Sequence, residues 1–205
     1  MPMFTLTRRF DEAWTERDFE KMTRRAIAGL HWSPPVYWHR SYGIDQDGAV
    51  AGFCVYETES LRTIQQQQRI CWVPFTEAQE VEEACGAASG RGRSEAPEGL
   101  SLFLVERTFE PRTLLAHIVR FNTSSQTDDV VWIRSFWDAD RKHSRCIFAA
   151  HDAEAVRAAI SNAPGCVAHI LPVLEEHPSA WAEMYDQLGV PRSWEAEAEK
   201  TPSPV

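Results

Sequence analysis

Two short stretches carry the residues best suited to chemistry. Val36–Tyr42 reads VYWHRSY and Val130–Phe136 reads VVWIRSF, so a Trp-x-Arg-Ser pattern occurs twice. Arg40 and Arg134 stay protonated and offer planar guanidiniums that can grip a carboxylate or another anion through two parallel N–H groups. Arg8 and Arg107 occupy matching places in the two parts of the chain and join them as candidate anion ligands. Trp38 and Trp132 could wall a cleft, Ser41 and Ser135 could hydrogen-bond a ligand, and Tyr56 adds a phenol. Candidates for proton transfer are residues at which the two parts differ. His39 stands against Ile133, Glu57 against Ala149 and Glu106 against Thr7. A Glu or His in an apolar strand is costly to bury unless paired, so such positions suggest acid/base groups in a cleft. The plain alternatives are arginines paired with carboxylates at a sheet edge, tryptophans in the core and Glu or His at a wetted rim. No GxSxG elbow, phosphate-cradling glycine loop or dinucleotide fingerprint accompanies these residues, which argues against serine catalysis and nucleotide binding.

The elements that would position them form two copies. FTLTRRFD (Phe4 to Asp11) aligns with FLVERTFE (Phe103 to Glu110), CVYE at Cys54 with CIFA at Cys146, SLR at Ser60 with AVR at Ala155, and Cys71 with Cys166. The matches keep their order and spacing, the mark of an internal repeat. In the first copy a strand from Met3 to Phe10 precedes a helix capped by Thr15, with Phe19, Met22, Ala26, Ile27 and Leu30 on one side. Pro34-Pro35 ends that connection. Strands at Val36 to Tyr42 and Ala51 to Tyr56 flank an Asp47-Gly48 turn, a helix covers Ser60 to Arg69, and a last strand lies around Trp72 to Ala78. The second copy reads the same way. A strand from Ser101 to Phe109 is followed by Pro111 and by a helix bearing Leu114, Leu115, Ile118 and Val119. Strands at Asp129 to Phe136 and Ser144 to Ala149 flank DADRK, a helix capped by Asp152 follows, and Cys166 to Leu174 closes the copy.

The expected fold is therefore α+β, two tandem βαββαβ ferredoxin-like repeats. Their strands are apolar on both sides: Trp38 and Tyr42 share one face with Tyr37 on the other, and Trp132 and Phe136 oppose Val131 and Ile133. An exposed face would alternate with polar residues. The expectation is that the repeats cover one another sheet to sheet as a pseudo-dimer, with a functional cleft at the seam. The organisation reads as residues 1–83 for the first repeat, 84–99 for a Gly/Ser-rich linker, 100–176 for the second repeat and 177–205 for a C-terminal helix and tail. In that helix Trp181, Met184, Tyr185 and Leu188 make a stripe suited to docking on its own domain, or else on a partner, and Trp194 could pin the tail.

A net charge of -9 and a pI near 5.3 argue against a nucleic-acid partner. No signal-like segment or membrane-length apolar run stands out, so a cytoplasmic, soluble bacterial protein is expected. Cys54, Cys71, Cys85, Cys146 and Cys166 show no CxxC pair, which argues against a disulfide framework or structural zinc, and four of them are expected as small hydrophobes in strands.

With LVERTFEP at Leu104 to Pro111, VYWHRSY and FCVYE in view, the chain resembles a bacterial family of unassigned domains that includes a Streptomyces nickel-binding protein of ferredoxin-like fold. The resemblance implies single βαββαβ units that pair as dimers, here fused in tandem, and a nickel-binding activity. Family members often carry histidine before the strand's serine, where this chain has Arg40 and Arg134, which cannot ligate a metal. His39 comes one residue early, which in a regular strand turns it to the opposite face. The leading expectation is a small-molecule-binding protein for an anionic organic ligand, acting by proton transfer through Glu57, Glu106 or His39. The alternatives are a nickel or other transition-metal protein drawing on His39, Cys54, Glu57, Glu106 and His169, and a non-catalytic interaction module. A monomeric pseudo-dimer is expected, with further association open.

Overall fold

The computed structural model describes residues 1–10, 14–30, 35–46, 49–85, 95–110, 113–140, 142–192 and 194. Its element order is βαββαβ twice, so the fold is α+β and ferredoxin-like. The first repeat runs β1 (Met3–Arg9), α1 (Glu16–Leu30), β2 (Val36–Gln46), β3 (Ala49–Thr58), α2 (Leu61–Ile70) and β4 (Glu77–Cys85). The second runs β5 (Ser101–Thr108), α3 (Leu115–Ser124), β6 (Val130–Asp138), β7 (His143–Ala150), α4 (Ala153–Ala159) and β8 (Cys166–Glu176). A 3-10 turn at Pro178–Trp181 leads into α5 (Ala182–Leu188). The Asp47-Gly48 turn, Pro34, Pro111, part of DADRK and most of the expected linker lie outside the described residues.

Local chemistry explains the helix starts. The Thr15 carbonyl accepts from Asp18 and Phe19, while Asp18 Oδ2 accepts from the Thr15 N–H and hydroxyl. Ser60 accepts from Thr63 N at 3.2 Å and Asp152 from Ala155 N at 2.8 Å, as N-caps should. Gly29 packs so closely against Cys71 and Gln67 that a Cβ would not fit between α1 and α2.

The chain forms two compact units, Met1–Glu80 with Glu175–Val205, and Val81–Leu174. In the first, strands β1, β3 and β2 pair antiparallel in that order. One face carries Phe4, Leu6, Trp38, Cys54 and Tyr56, packed with Ile27 of α1, Ile64 of α2 and Met184 and Tyr185 of α5. The C-terminal helix thus docks on the unit that holds the first repeat. Tyr185 lies edge-on to Trp194 at 4.7 Å. In the second unit the antiparallel order is β8, β5, β7, β6 and then Val81–Cys85 of β4. Phe103, Val105, Trp132, Trp137, Cys146 and Phe148 line its helix-covered face under Ile118, Val156 and Ile160.

Three features depart from the sequence reading. The strand expected around Trp72 to Ala78 begins only at Glu77, because Trp72 takes a left-handed turn (φ 54) and Pro74 has no N–H to give a ladder. Its true run, EAQEVEEAC, is so rich in charge that Val81 is its one buried residue, which hid it. Cys71 accordingly caps α2 instead of entering a strand, whereas Cys85 ends β4. Most important, both Trp-x-Arg-Ser strands bulge. Trp38 pairs with Tyr56 and Arg40 with Val55, and Trp132 pairs with Phe148 and Arg134 with Ile147. One extra residue in each strand reverses which side later residues face. Trp38 therefore faces the helices while Tyr42 turns the other way, and Trp132 and Phe136 divide likewise.

Two outcomes follow for the C-terminal segment. Met184→Ala should lower the unfolding free energy by about 2–5 kcal/mol in urea titrations, whereas Trp72→Ala, at a side chain left 79% exposed, should change it by no more than about 0.5. Burial holds the Glu176 carboxyl above its ordinary 4.5, opposed by the hydrogen bond from Trp181 Nε1 at 2.7 Å. The folded state then binds this proton more readily than the unfolded chain, so the group favours folding at low pH and that contribution is lost as pH rises through its folded value. Glu176→Gln keeps an acceptor for Trp181 without the charge. It should be more stable than wild type near neutral pH, the difference vanishing by about pH 3.

Candidate functional site

The bulges sort the doubled motif into two roles. On the helix side, Trp38 Nε1 donates to Ser41 Oγ at 3.0 Å and Trp132 Nε1 to Ser135 Oγ at 2.9 Å. On the opposite side, Arg40 Nη1 meets Glu175 Oε1 at 3.0 Å, an oxygen that also accepts from the Tyr42 hydroxyl at 2.9 Å. Arg134 Nη1 meets Glu83 Oε1 at 3.1 Å. Each arginine is matched by a carboxylate on the strand that closes the other repeat, within one compact unit in both cases. Neither glutamate is marked by the sequence, because each sits in a charge-rich strand end.

His39 is the bulged residue of β2. Its Nε2 lies 3.1 Å from Glu57 Oε2, with both side chains largely covered. Glu57 also approaches the Met1 amino group at 3.2 Å. Two of the three proton-transfer candidates are thus brought together. The third, Glu106, lies in the other unit, half exposed and 3.5 Å from Arg145 Nε.

The remaining pair of matched arginines, Arg8 and Arg107, points into the helix-covered cores and shows the sharpest contrast. Arg8 is 4% exposed, and every edge of its guanidinium is engaged. Nε donates to Cys54 Sγ at 3.2 Å, Nη2 to Tyr56 Oη at 3.2 Å and Gln68 Oε1 at 2.7 Å, and Nη1 to the Pro74 carbonyl at 2.5 Å. Burial works against the Arg8 charge, but the adjoining sulfur and phenol oxygen outweigh it and hold the pKa above the usual arginine value. Burial likewise pushes the Tyr56 phenol up.

Arg107 is 1% exposed, yet only Nη1 is bonded, to Asn122 Oδ1 at 3.1 Å. Its Nε and Nη2 find no acceptor among the described residues. Two of the side chains that meet Arg8 have apolar counterparts here. Tyr56 is matched by Phe148, whose ring lies 5.8 Å below the Arg107 guanidinium. Gln68 is matched by Ala163 at the spacing that aligns Cys71 with Cys166. Cys54 is matched by Cys146, whose sulfur lies 3.4 Å from Ser144 Oγ. Asn122 also extends toward Ser135 at 3.5 Å, so Arg107, Asn122, Ser135 and Trp132 form one buried polar chain. Three of those four were candidates from sequence. Asn122 was not, because an asparagine near a helix end usually signals a turn.

Residues 103–173, most of the second repeat, match the family model described as "Nickel responsive protein SCO4226-like". No curated protein matches the chain. Among solved structures, a provisionally named monooxygenase from Lactobacillus acidophilus NCFM is 13% identical, covers 85% of this chain and 93% of its own, and has a TM-score of 0.46. A provisionally named chlorite dismutase is 10% identical, with 92% and 99% covered and a TM-score of 0.48. An anthrone oxidase-like protein is 9% identical, with 86% and 93% covered and a TM-score of 0.45. No described helix is long and apolar enough to cross a membrane.

The residues do not fit a nickel centre at the motif. Arg40 and Arg134 are donors held by carboxylates, Cys54 is engaged by Arg8, and His39 and Glu57 supply only a pair. Among the described residues the one group of three with ligand atoms within 4.8 Å of one another is Asp138, Asp140 and His143, partly exposed at the β6–β7 hairpin. It shares none of the five candidate ligands, and Asp140 already meets Lys142 Nζ at 3.3 Å.

The Arg134–Glu83 pair carries a stability prediction. Arg134 is nearly fully covered and Glu83 about one-fifth exposed. Arg134→Met should cost about 3 kcal/mol by stranding the glutamate, and adding Glu83→Met should restore most of it, as read from a double-mutant cycle in urea.

Proposed function

We propose that this protein binds a small organic anion, and that Arg107 of the second repeat is its recognition group. The observation that carries this reading is the unmet Nε–H and Nη2–H of a buried guanidinium. These two N–H groups lie on the same edge of the planar fork and run parallel, the arrangement that receives the two oxygens of an oxyanion side-on. A buried donor left without an acceptor costs about 1–3 kcal/mol, more when charged, so the folded protein holds a standing affinity for whatever supplies the oxygens. Arg8, with every edge satisfied by its own repeat, supports the contrast: the same strand position can be closed, and in the second repeat it is open. Trp132 and Ser135 belong to the network that holds the site, Ser135 fixed by the Trp132 indole and facing Asn122. Arg8, Tyr56, Trp38 and Ser41 serve the first repeat as structural counterparts, while Arg40 and Arg134 are read as structural ion pairs.

The His39–Glu57 contact supports a second element of the reading. A histidine oriented by a carboxylate is a general acid/base unit, so chemistry on a bound molecule would use this pair, with Glu106 left as a surface group.

Thermal unfolding in graded acetate, formate and sulfate at constant ionic strength tests the binding reading. Saturable stabilisation in at least one anion series is expected for the wild type and not for Arg107→Gln. A second variant, Phe148→Tyr, rebuilds the acceptor that Arg8 enjoys. It should raise stability without anion by about 1 kcal/mol and abolish the anion response. An anion response unchanged in both variants would overturn the assignment.

A further inference from the structure

We infer that the open edge of Arg107 takes a single carboxylate, one negative charge, with the Trp137 indole N–H as a third donor. This rests on the anion-binding reading above and adds the class of ligand head group. Trp137 is completely buried, and its Nε1 finds no acceptor among the described residues. Register places it beside Arg107: Arg107 of β5 pairs with Ser144 of β7, and Ser144 pairs with Trp137 of β6. Residues directly opposite one another on neighbouring strands share a face, so all three project into the helix-covered core. Two long donor side chains therefore flank one small residue. Strands are spaced roughly 4.8 Å apart, so the space above Ser144 is bounded by Arg107 and Trp137 about two strand spacings from each other. Every unmet polar atom bordering that space is an N–H, and an acceptor-only group is the chemical complement.

Charge selects further among acceptors. No described carboxylate pairs with Arg107. Its contacts are the Asn122 amide and the Phe148 ring face, both neutral. One positive charge in an apolar core is offset by one negative charge, whereas a dianion would leave a net negative charge out of water. A carboxylate has two in-plane oxygens matched to the parallel N–H pair and a total charge of minus one. Its second lone pairs remain available for the indole. Sulfate and the phosphate dianion match the fork but carry one charge too many.

Tryptophan fluorescence and thermal unfolding of the wild-type protein with formate, acetate, sulfate and phosphate near pH 8, at matched ionic strength, test the inference. Formate or acetate should bind saturably and at least roughly tenfold more tightly than either dianion. Trp137→Phe should weaken the carboxylate roughly two- to tenfold, the loss of one hydrogen bond, while leaving some binding intact. Dianions binding as tightly as carboxylates, with the response lost in Arg107→Gln, would overturn the single-charge inference and leave the anion site standing. Equal carboxylate affinity in Trp137→Phe would remove the third donor. Absence of any Arg107-dependent response, as when only water meets these groups, would overturn both readings.

Discussion

A guanidinium buried in an apolar core must have its N–H groups met, because they have given up water and cannot shed their charge. Both repeats bury an arginine at the same place on the first strand, and much of the surrounding polar chemistry answers to that requirement. In the first repeat the answer is internal: a thiol, a phenol, an amide and a backbone carbonyl converge from β3, α2 and the turn after it. That convergence constrains the chain. Trp72 turns left-handed and Pro74 presents its carbonyl to Arg8, which delays the last strand to Glu77. In the second repeat the same donor remains, and Phe148 and Ala163 stand where the phenol and the amide were.

The second constraint is the bulge in β2 and β6. Strand periodicity is two, so one inserted residue turns every later side chain to the other face. Without it Trp38 and Arg40 would share a side, and the arginine would compete with Ser41's surroundings beneath the helices. With it, Trp and Ser close on each other three residues apart while Arg leaves for the opposite face and a glutamate. The motif that recurs in sequence is thus a bulge signature in structure, and its arginines are the part least engaged in the helix-covered core.

Much of the architecture was legible because it is written in the residue pattern: apolar runs in every strand but β4, an amphipathic α1, and caps at Thr15 and Asp152. The duplication was legible as short ordered matches. The fourth strand was not, since EAQEVEEAC buries one residue and reads as solvated chain. The bulges were not, since an inserted residue leaves no mark in composition, and with them went the assignment of faces for Tyr42, Phe136 and His39. Of the candidate site, residue types were readable and partners were not. Glu83 and Glu175 lie far along the chain from the arginines they meet, and Asn122 and Trp137 matter through register, which emerges only when strands are paired.

A duplicated fold can leave one copy open at small penalty because the two cores are built separately. Phe4, Leu6, Ile27 and Ile64 pack in the first unit and Phe103, Val105, Ile118 and Val156 in the second. Withdrawing a phenol and an amide from around Arg107 therefore leaves the Arg8 network untouched. The apolar replacements, Phe148 and Ala163, also repack as core residues, so the hydrophobic contribution of the second unit is retained. What is lost is confined to hydrogen bonds on one edge of one guanidinium. An unmet donor whose neighbours are otherwise well packed is rigid and already desolvated, and rigidity and prior desolvation are the two costs a ligand would otherwise bear on binding.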